Sequence, residues 1–187
     1  SQVLAEKGRL SSRRLALVVR GVAAAARAGY RPILVTSGAI LTGRGVLGLA
    51  SKRRPTVALR QALASVGQFR LVHEYSRLLS RHGLRAGQIL LTRRVVGDSR
   101  ALTNVRHTFQ ALLGLGVVPI VNENDAVAVE EILFGDNDIL AALVASVTSA
   151  RLLILLTSVD GLYRNFHDPA RRELIRTVEN ARDPRIV

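Results

Sequence analysis

Four times along this chain a segment of helix length runs into a short apolar stretch that ends in polar loop residues, and this alternation narrows the fold more than any other feature. The apolar stretches are PILV at 32–35, the core of LRAGQILLT at 84–92, VVPIV at 117–121 and RLLILLT at 151–157. Each has the length of a buried strand, and none approaches the roughly 18 apolar residues that a membrane-spanning helix needs. Strands regularly interleaved with helices predict an α/β domain with a mainly parallel sheet.

The helical segments carry their own punctuation. Residues 11–28 open on Ser11 and Ser12, continue as LALVVRGVAAAARAG and stop at a Gly. Residues 55–82 are predicted helical from Pro55 at the first helical position, with Gly67 expected to interrupt and Gly83 to end the segment. Asp98 is placed to cap a helix over 98–113, and ILAALVASVTSA at 139–150 reads as a fourth helix. No internal repeat, low-complexity segment or domain linker is visible.

Composition excludes several kinds of chemistry. The chain has 187 residues and no cysteine, which removes disulfides, thiolate nucleophiles and thiolate metal ligands and suits a reducing, cytoplasmic setting. His73, His82, His107 and His167 share no metal-ligand spacing, so no protein metal site is assigned. The opening SQVLAEKGRL lacks the pattern of a signal peptide. With no Met anywhere, the chain is expected to be part of a longer translation product. Net charge is +13, yet the arginines are scattered and not interleaved with aromatics, which argues against nucleic acid as a partner and for a solvated basic surface. There is no GxxxxGK[ST] loop, no HRD or DFG set and no G-x-S-x-G elbow, so phosphate chemistry would need another framework.

Within this basic chain, IVNENDAVAVEEILFGDND at 120–138 holds six of the fourteen acidic residues and no Lys or Arg. In a parallel sheet, ligands bind beyond the carboxyl ends of the strands. Three polar loops meet that criterion: Thr36–Ser37–Gly38, Asn122–Asp125 and Thr157–Gly161. Ser37, taken alone, reads as a helix N-cap beside amides that suit an anion. Asn122 to Asp125 would form a turn after the third strand, with more polar groups than one turn requires and a carboxylate able to hold an ammonium group. Asp136 could cap the next helix, leaving Asn137 and Asp138 in its first turn without a structural reason. Glu130 and Glu131 read as a solvent-facing connector. Magnesium is an open reading for these acids, since one or two carboxylates suffice when substrate phosphates supply the rest.

SGAI at 37–40, ASVGQ at 64–68, GQILLT at 87–92, VNENDAV at 121–127, FGDND at 134–138 and LLTSVDGLY at 155–163 resemble, in order, the motifs of glutamate 5-kinases. The likeness runs over essentially the whole chain, and VNENDAV followed by GDND is specific to that branch of the amino acid kinase superfamily. The resemblance implies a three-layer α/β/α sandwich and transfer of the ATP γ-phosphoryl group to the γ-carboxylate of L-glutamate, the first step of proline biosynthesis. It implies magnesium-bound ATP, a cytoplasmic homo-oligomer and feedback inhibition by proline. By motif, Ser37, Asp125 and Asn137 would bind glutamate, with Asn122 beside them. Asp138 would be the catalytic organiser of phosphate-binding lysines, and Thr157 and Ser158 would touch the nucleotide; the family more usually has Asp in place of Ser158.

The family's domain also has an upstream strand ending in Val-Lys-Leu-Gly and a downstream GTGGM segment with a second Lys. Neither occurs in these residues, and neither Lys7 nor Lys52 lies in a matching motif. Residues 1–187 are therefore expected to hold an incomplete amino acid kinase domain, without the RNA-modification-like domain that often follows. Two further readings stand beside this one: a relative with a different acceptor, and a noncatalytic glutamate-binding fragment.

Overall fold

A computed structural model of the chain describes residues 4–6, 9–49, 55–92, 95, 97–127, 137–168, 170–183 and 185. Two compact units, Ser1–Ile154 and Leu155–Val187, are described in turn.

The first unit is built on a three-stranded parallel sheet. Strands β3 (Leu34–Val35) and β4 (Arg85–Leu91) flank β5 (Val117–Glu123), so the order is β3-β5-β4. Leu34 pairs with Ile120, and the β4 ladder runs from Arg85 opposite Val117 to Leu91 opposite Glu123. Because successive strand side chains alternate, β5 divides its residues between two cores. Val118 and Ile120 join Leu34 against Leu15 and Val19 of helix α1 (Ser12–Arg27) and Leu71, Tyr75 and Leu79 of α3 (Val57–Ser80). Val121 joins Ile89 and Leu91 against Phe109 of α4 (Ser99–Gly114) and Leu140 and Val144 of α5 (Asn137–Thr148). Helices on both faces of a parallel sheet make the three-layer α/β/α arrangement that the motifs implied. A two-stranded antiparallel ribbon, β1 (Ala5–Glu6) with β2 (Arg9–Leu10), precedes it.

Helix boundaries follow local chemistry. The Ser11 hydroxyl accepts from Arg14 N–H, and Asp98 accepts from the N–H groups of Arg100 and Ala101, as the cap positions predicted. Two expectations for α3 need correction. Pro55 is not its first helical residue: Thr56 takes the N-cap and its hydroxyl accepts from Leu59 N–H at 3.3 Å, which pushes Pro55 outside. Gly67 does not interrupt the helix, which is continuous from Val57 to Ser80. Its small size serves packing instead. A methyl group on Gly67 would overlap the Ala39 carbonyl and the Gly43 amide, and one on Gly43 would overlap the Leu63 carbonyl. The glycines thus let α2 (Ala39–Val46) and α3 meet backbone to backbone, which outweighs the ~1 kcal/mol that Gly costs in a helix interior.

Two more expectations change. Asn122 and Glu123 belong to β5 rather than to the turn, because the β4 ladder continues to Glu123. The turn begins at Asn124, whose carbonyl accepts from Val127 N–H at 3.2 Å. RLLILLT is not a strand: residues 152–157 pair with no neighbour among the described residues, and apolar content alone does not make a ladder. Its side chains face water, from 41% exposed at Leu153 to 74% at Leu152.

The second unit contains an antiparallel pair, β6 (Leu162–Arg164) and β7 (Glu173–Ile175). The Arg172 guanidinium lies 4.9 Å from the centre of the Tyr163 ring.

Candidate functional site

The carboxyl ends of β3 and β5 lie side by side, since Thr36 N–H donates to the Val121 carbonyl at 2.9 Å. The alternation that sends Val118 and Ile120 toward α3 sends Asn122 the same way. An amide there cannot reach water, with Asn122 only 3% exposed, and leaving a buried polar group unpaired costs about 1–3 kcal/mol. Its partners come from distant segments. Asn122 Nδ2 donates to Gln68 Oε1 at 2.6 Å, and Asn122 Oδ1 accepts from Asn137 Nδ2 at 3.1 Å. Asn137 Nδ2 also donates to the Thr36 carbonyl. Four elements, β3's loop, α3, β5 and the start of α5, are thereby tied by one chain of amides.

The Thr36 side chain adds a second tie, its hydroxyl 3.1 Å from the Tyr75 hydroxyl. Tyr75 is fully buried, and burial holds its phenol protonated by pushing its pKa up to about 12. Gly38 then turns the chain into α2: its φ of 98° is left-handed, a conformation open to glycine at little cost. Gly38 is the N-cap of α2, so the reading of Ser37 as that cap is corrected. Ser37 is half-buried, directly follows Thr36 in the chain and is not the cap of α2.

Asp125 follows in the turn after β5, which is anchored where Asn124 N–H donates to the Leu91 carbonyl at 2.8 Å. Desolvation raises the Asp125 pKa to about 6, the Glu123 carboxylate adds to the rise, and the Arg60 guanidinium opposes it. A partly buried carboxyl under that pressure gains from a cationic ligand. Asp138 lies exposed in the first turn of α5, next to Asn137. The structure therefore joins Asn122 and Asn137 directly and sets Ser37, Asp125 and Asp138 on the segments that carry them. Thr157 and Ser158 belong to the second unit, where Thr157 Oγ1 accepts from Val159 N–H at 3.3 Å. Asp136, Glu130, Glu131, Lys7 and Lys52 lie outside the described residues.

Sequence reasoning assigned no role to Gln68, Thr36, Tyr75 or Arg60. Gln68 had a readable signal: it shares a helical face with Leu71, Tyr75 and Leu79, a polar residue in a stripe that otherwise meets the sheet. Among the described residues, no three His, Asp or Glu side chains gather to hold a metal ion. No helix among them is long and apolar enough to cross a membrane.

A parallel sheet between two helical layers, with amides and acids at its carboxyl rim, defines the class, and the chain belongs to the amino acid kinase family, whose profile matches residues 1–184. It is 51% identical over 156 residues to a glutamate 5-kinase of Moorella thermoacetica, a match covering 83% of this chain and 41% of that protein. It is 50% identical over 157 residues to a glutamate 5-kinase of Clostridium acetobutylicum, covering 83% of this chain and 58% of that protein. A Pelobacter propionicus glutamate 5-kinase is 43% identical over 164 residues, covering 87% of this chain and 44% of its own length. The chain thus spans about half the length of these relatives.

Proposed function

We propose that this chain carries the acceptor-substrate half of a glutamate 5-kinase and forms part of its amino acid kinase domain. The observation that carries the reading is the Gln68–Asn122–Asn137–Thr36 amide chain, which ties α3, the end of β5, the start of α5 and the residue after β3 together at the carboxyl rim of the sheet. The relatives carry the name glutamate 5-kinase, which supports glutamate as the acceptor, and ATP as phosphoryl donor is part of the proposal.

In this reading the Asp125 carboxylate meets the substrate ammonium group, Asn137 and Ser37 hydrogen-bond the substrate, and Asn122 fixes Asn137. A γ-carboxylate oxygen attacks the γ-phosphorus of ATP, the bond from that phosphorus to the bridging oxygen breaks, and ADP leaves. The attacking carboxylate is already ionised, so no general base is required. Catalysis rests on positioning and on charge stabilisation along the line of transfer. Magnesium would be held mainly by the nucleotide phosphates, consistent with a donor set of scattered single carboxylates, and would neutralise their charge. Asp138 would orient phosphate-binding cations, and Thr157 and Ser158 would contact the nucleotide. A cytoplasmic homo-oligomer inhibited by proline completes the proposal.

Calorimetric titration of the chain with L-glutamate, L-aspartate and N-acetyl-L-glutamate tests it. Saturable binding of L-glutamate alone is expected. Preference for either competitor would overturn the substrate. With ATP and magnesium added, hydroxylamine would trap the γ-glutamyl phosphate as a hydroxamate wherever turnover occurs.

A further inference from the structure

Gln68 is the member of the amide chain that lies within helix α3, and the direction of the hydrogen bonds explains why it is there. Asn137 Nδ2 has two hydrogens. One goes to the Thr36 carbonyl and the other to Asn122 Oδ1 at 3.1 Å. A main-chain carbonyl only accepts, so Asn137 must turn its nitrogen toward Thr36. Asn122 must then offer oxygen to Asn137 and nitrogen to α3, and Gln68 must meet it with oxygen, as it does at 2.6 Å. Reversing any one amide would set nitrogen against nitrogen or oxygen against oxygen. At 8% and 3% exposure, Gln68 and Asn122 have little access to water that could compensate.

We propose that Gln68 is a positioning residue that holds the Asn122 amide in the orientation the Thr36 carbonyl imposes through Asn137, so that Asn137 keeps both N–H groups engaged and offers the acceptor substrate its carbonyl oxygen. With both Nδ2 hydrogens committed, Oδ1 is the main remaining capacity of the Asn137 side chain. If that acceptor and the Asp125 carboxylate meet the same substrate amine, as the glutamate reading has it, together they suit a protonated amine and reject a keto or acylated analogue, whose groups bring no comparable donor. This inference rests on the glutamate reading above.

Two observations favour positioning over plain packing. Among the described residues Gln68 Nε2 is buried with no hydrogen-bond partner, a cost that a Met or Leu in this stripe would not incur. The helix is also seated closely around it: Gly67 brings α3 against Ala39 and Gly43, and Tyr75, two turns along the same face, bonds Thr36.

The test compares Gln68→Met, which keeps the volume and loses the acceptor, with Gln68→Glu, which keeps an acceptor for Asn122 and removes the orphan donor. Three quantities are read on the 187-residue chain: the thermal midpoint, the calorimetric Kd for L-glutamate, and the side-chain NH2 signals of Asn122 and Asn137 in ligand-free ¹H–¹⁵N spectra. In Gln68→Met, affinity should fall about 10-fold or more, as expected for one lost buried acceptor, and the Asn137 NH2 protons should lose their protection from exchange. Gln68→Glu should stay within about 3-fold of the parent and keep that protection.

Parent-like affinity and amide signals in Gln68→Met would overturn the proposal. So would an equal loss of affinity in a natively folded Gln68→Glu, which also decides the matter if Gln68→Met does not fold. If the parent chain binds no glutamate, the functional reading fails, and the amide spectra still decide whether Gln68 orients Asn137.

Discussion

The polar contacts of the two units contrast in reach. In Ser1–Ile154 the hydrogen bonds of the candidate site join residues 101, 54 and 39 positions apart, and most of their side chains are buried. In Leu155–Val187 the side-chain contacts join near neighbours: Asp168 with Arg171 three apart, Asp183 with Arg185 two apart, and Arg185 with the Thr177 carbonyl eight apart. Long-range buried amides hold a geometry only when the whole fold is formed, and their loss is expensive. An exposed short-range pair such as Asp168–Arg171 holds a loop and is screened by water, and even Asp183, buried at 7% exposure, takes its side-chain partner from two positions away. The first unit is therefore where a substrate would be read with angular precision.

The strongest way to break this contrast is to unseat α3. Gly67→Val places a branched side chain into the Ala39 carbonyl and the Gly43 amide, and destabilisation of about 3 kcal/mol or more is expected in urea unfolding, with glutamate binding lost alongside. A variant unfolding at the parent midpoint would show that the backbone contact between α2 and α3 is dispensable.

Asp125→Asn tests the same rim from the opposite side. The folded state raises this carboxyl from its ordinary value to about 6, so it binds the proton more tightly than the unfolded chain does. Its contribution to stability is thus best at low pH and declines as pH rises through the window from about 4 to 6. Removing the charge should raise stability at pH 7 by roughly 1 kcal/mol, a figure reduced for the carboxyl's partial exposure, and should flatten the pH dependence in that window. Binding of glutamate should be lost in the variant, and in the parent it should weaken below about pH 6 as the carboxylate protonates. An unfolding midpoint lowered by the substitution would contradict the desolvation account.

The smallest change is expected from the second unit. Arg171 and Asp168 lie 3.8 Å apart, with side chains 81% and 49% exposed. Arg171→Ala should shift the unfolding free energy by no more than about 0.5 kcal/mol, and a larger shift in calorimetry would mean that these local contacts support more than a loop.

Much of the first unit is legible in its amino-acid sequence. Cap residues and apolar periodicity locate the helices, because Ser11 and Asp98 act through bonds to residues two or three positions away. The motifs point to Asn122, Asp125 and Asn137 together. What stays hidden depends on contacts across the fold. Gly67 looks like a helix breaker until α2 lies against it, and Asn122 looks like a turn residue until β4 extends the ladder. Gln68 is marked in the sequence as a polar residue in the apolar stripe of α3, but its partner is hidden until β5 turns an amide toward it. RLLILLT misleads for the converse reason: strand-like composition is local, while a strand requires a partner.

That last segment bears on how the chain behaves in a test tube. Five consecutive aliphatic side chains from Leu152 to Leu156 stand substantially exposed, with no charge among them and backbone groups paired with no strand among the described residues. Such a stretch is a template for intermolecular β-pairing. The net charge of +13 works against it, since two like-charged molecules repel before the aliphatic stretches can meet. Salt shortens that repulsion to roughly 10 Å at 0.1 M. Light scattering across a salt series is therefore expected to show nonspecific aggregation rising with ionic strength, and scattering that does not change with salt would show that this stretch does not drive it.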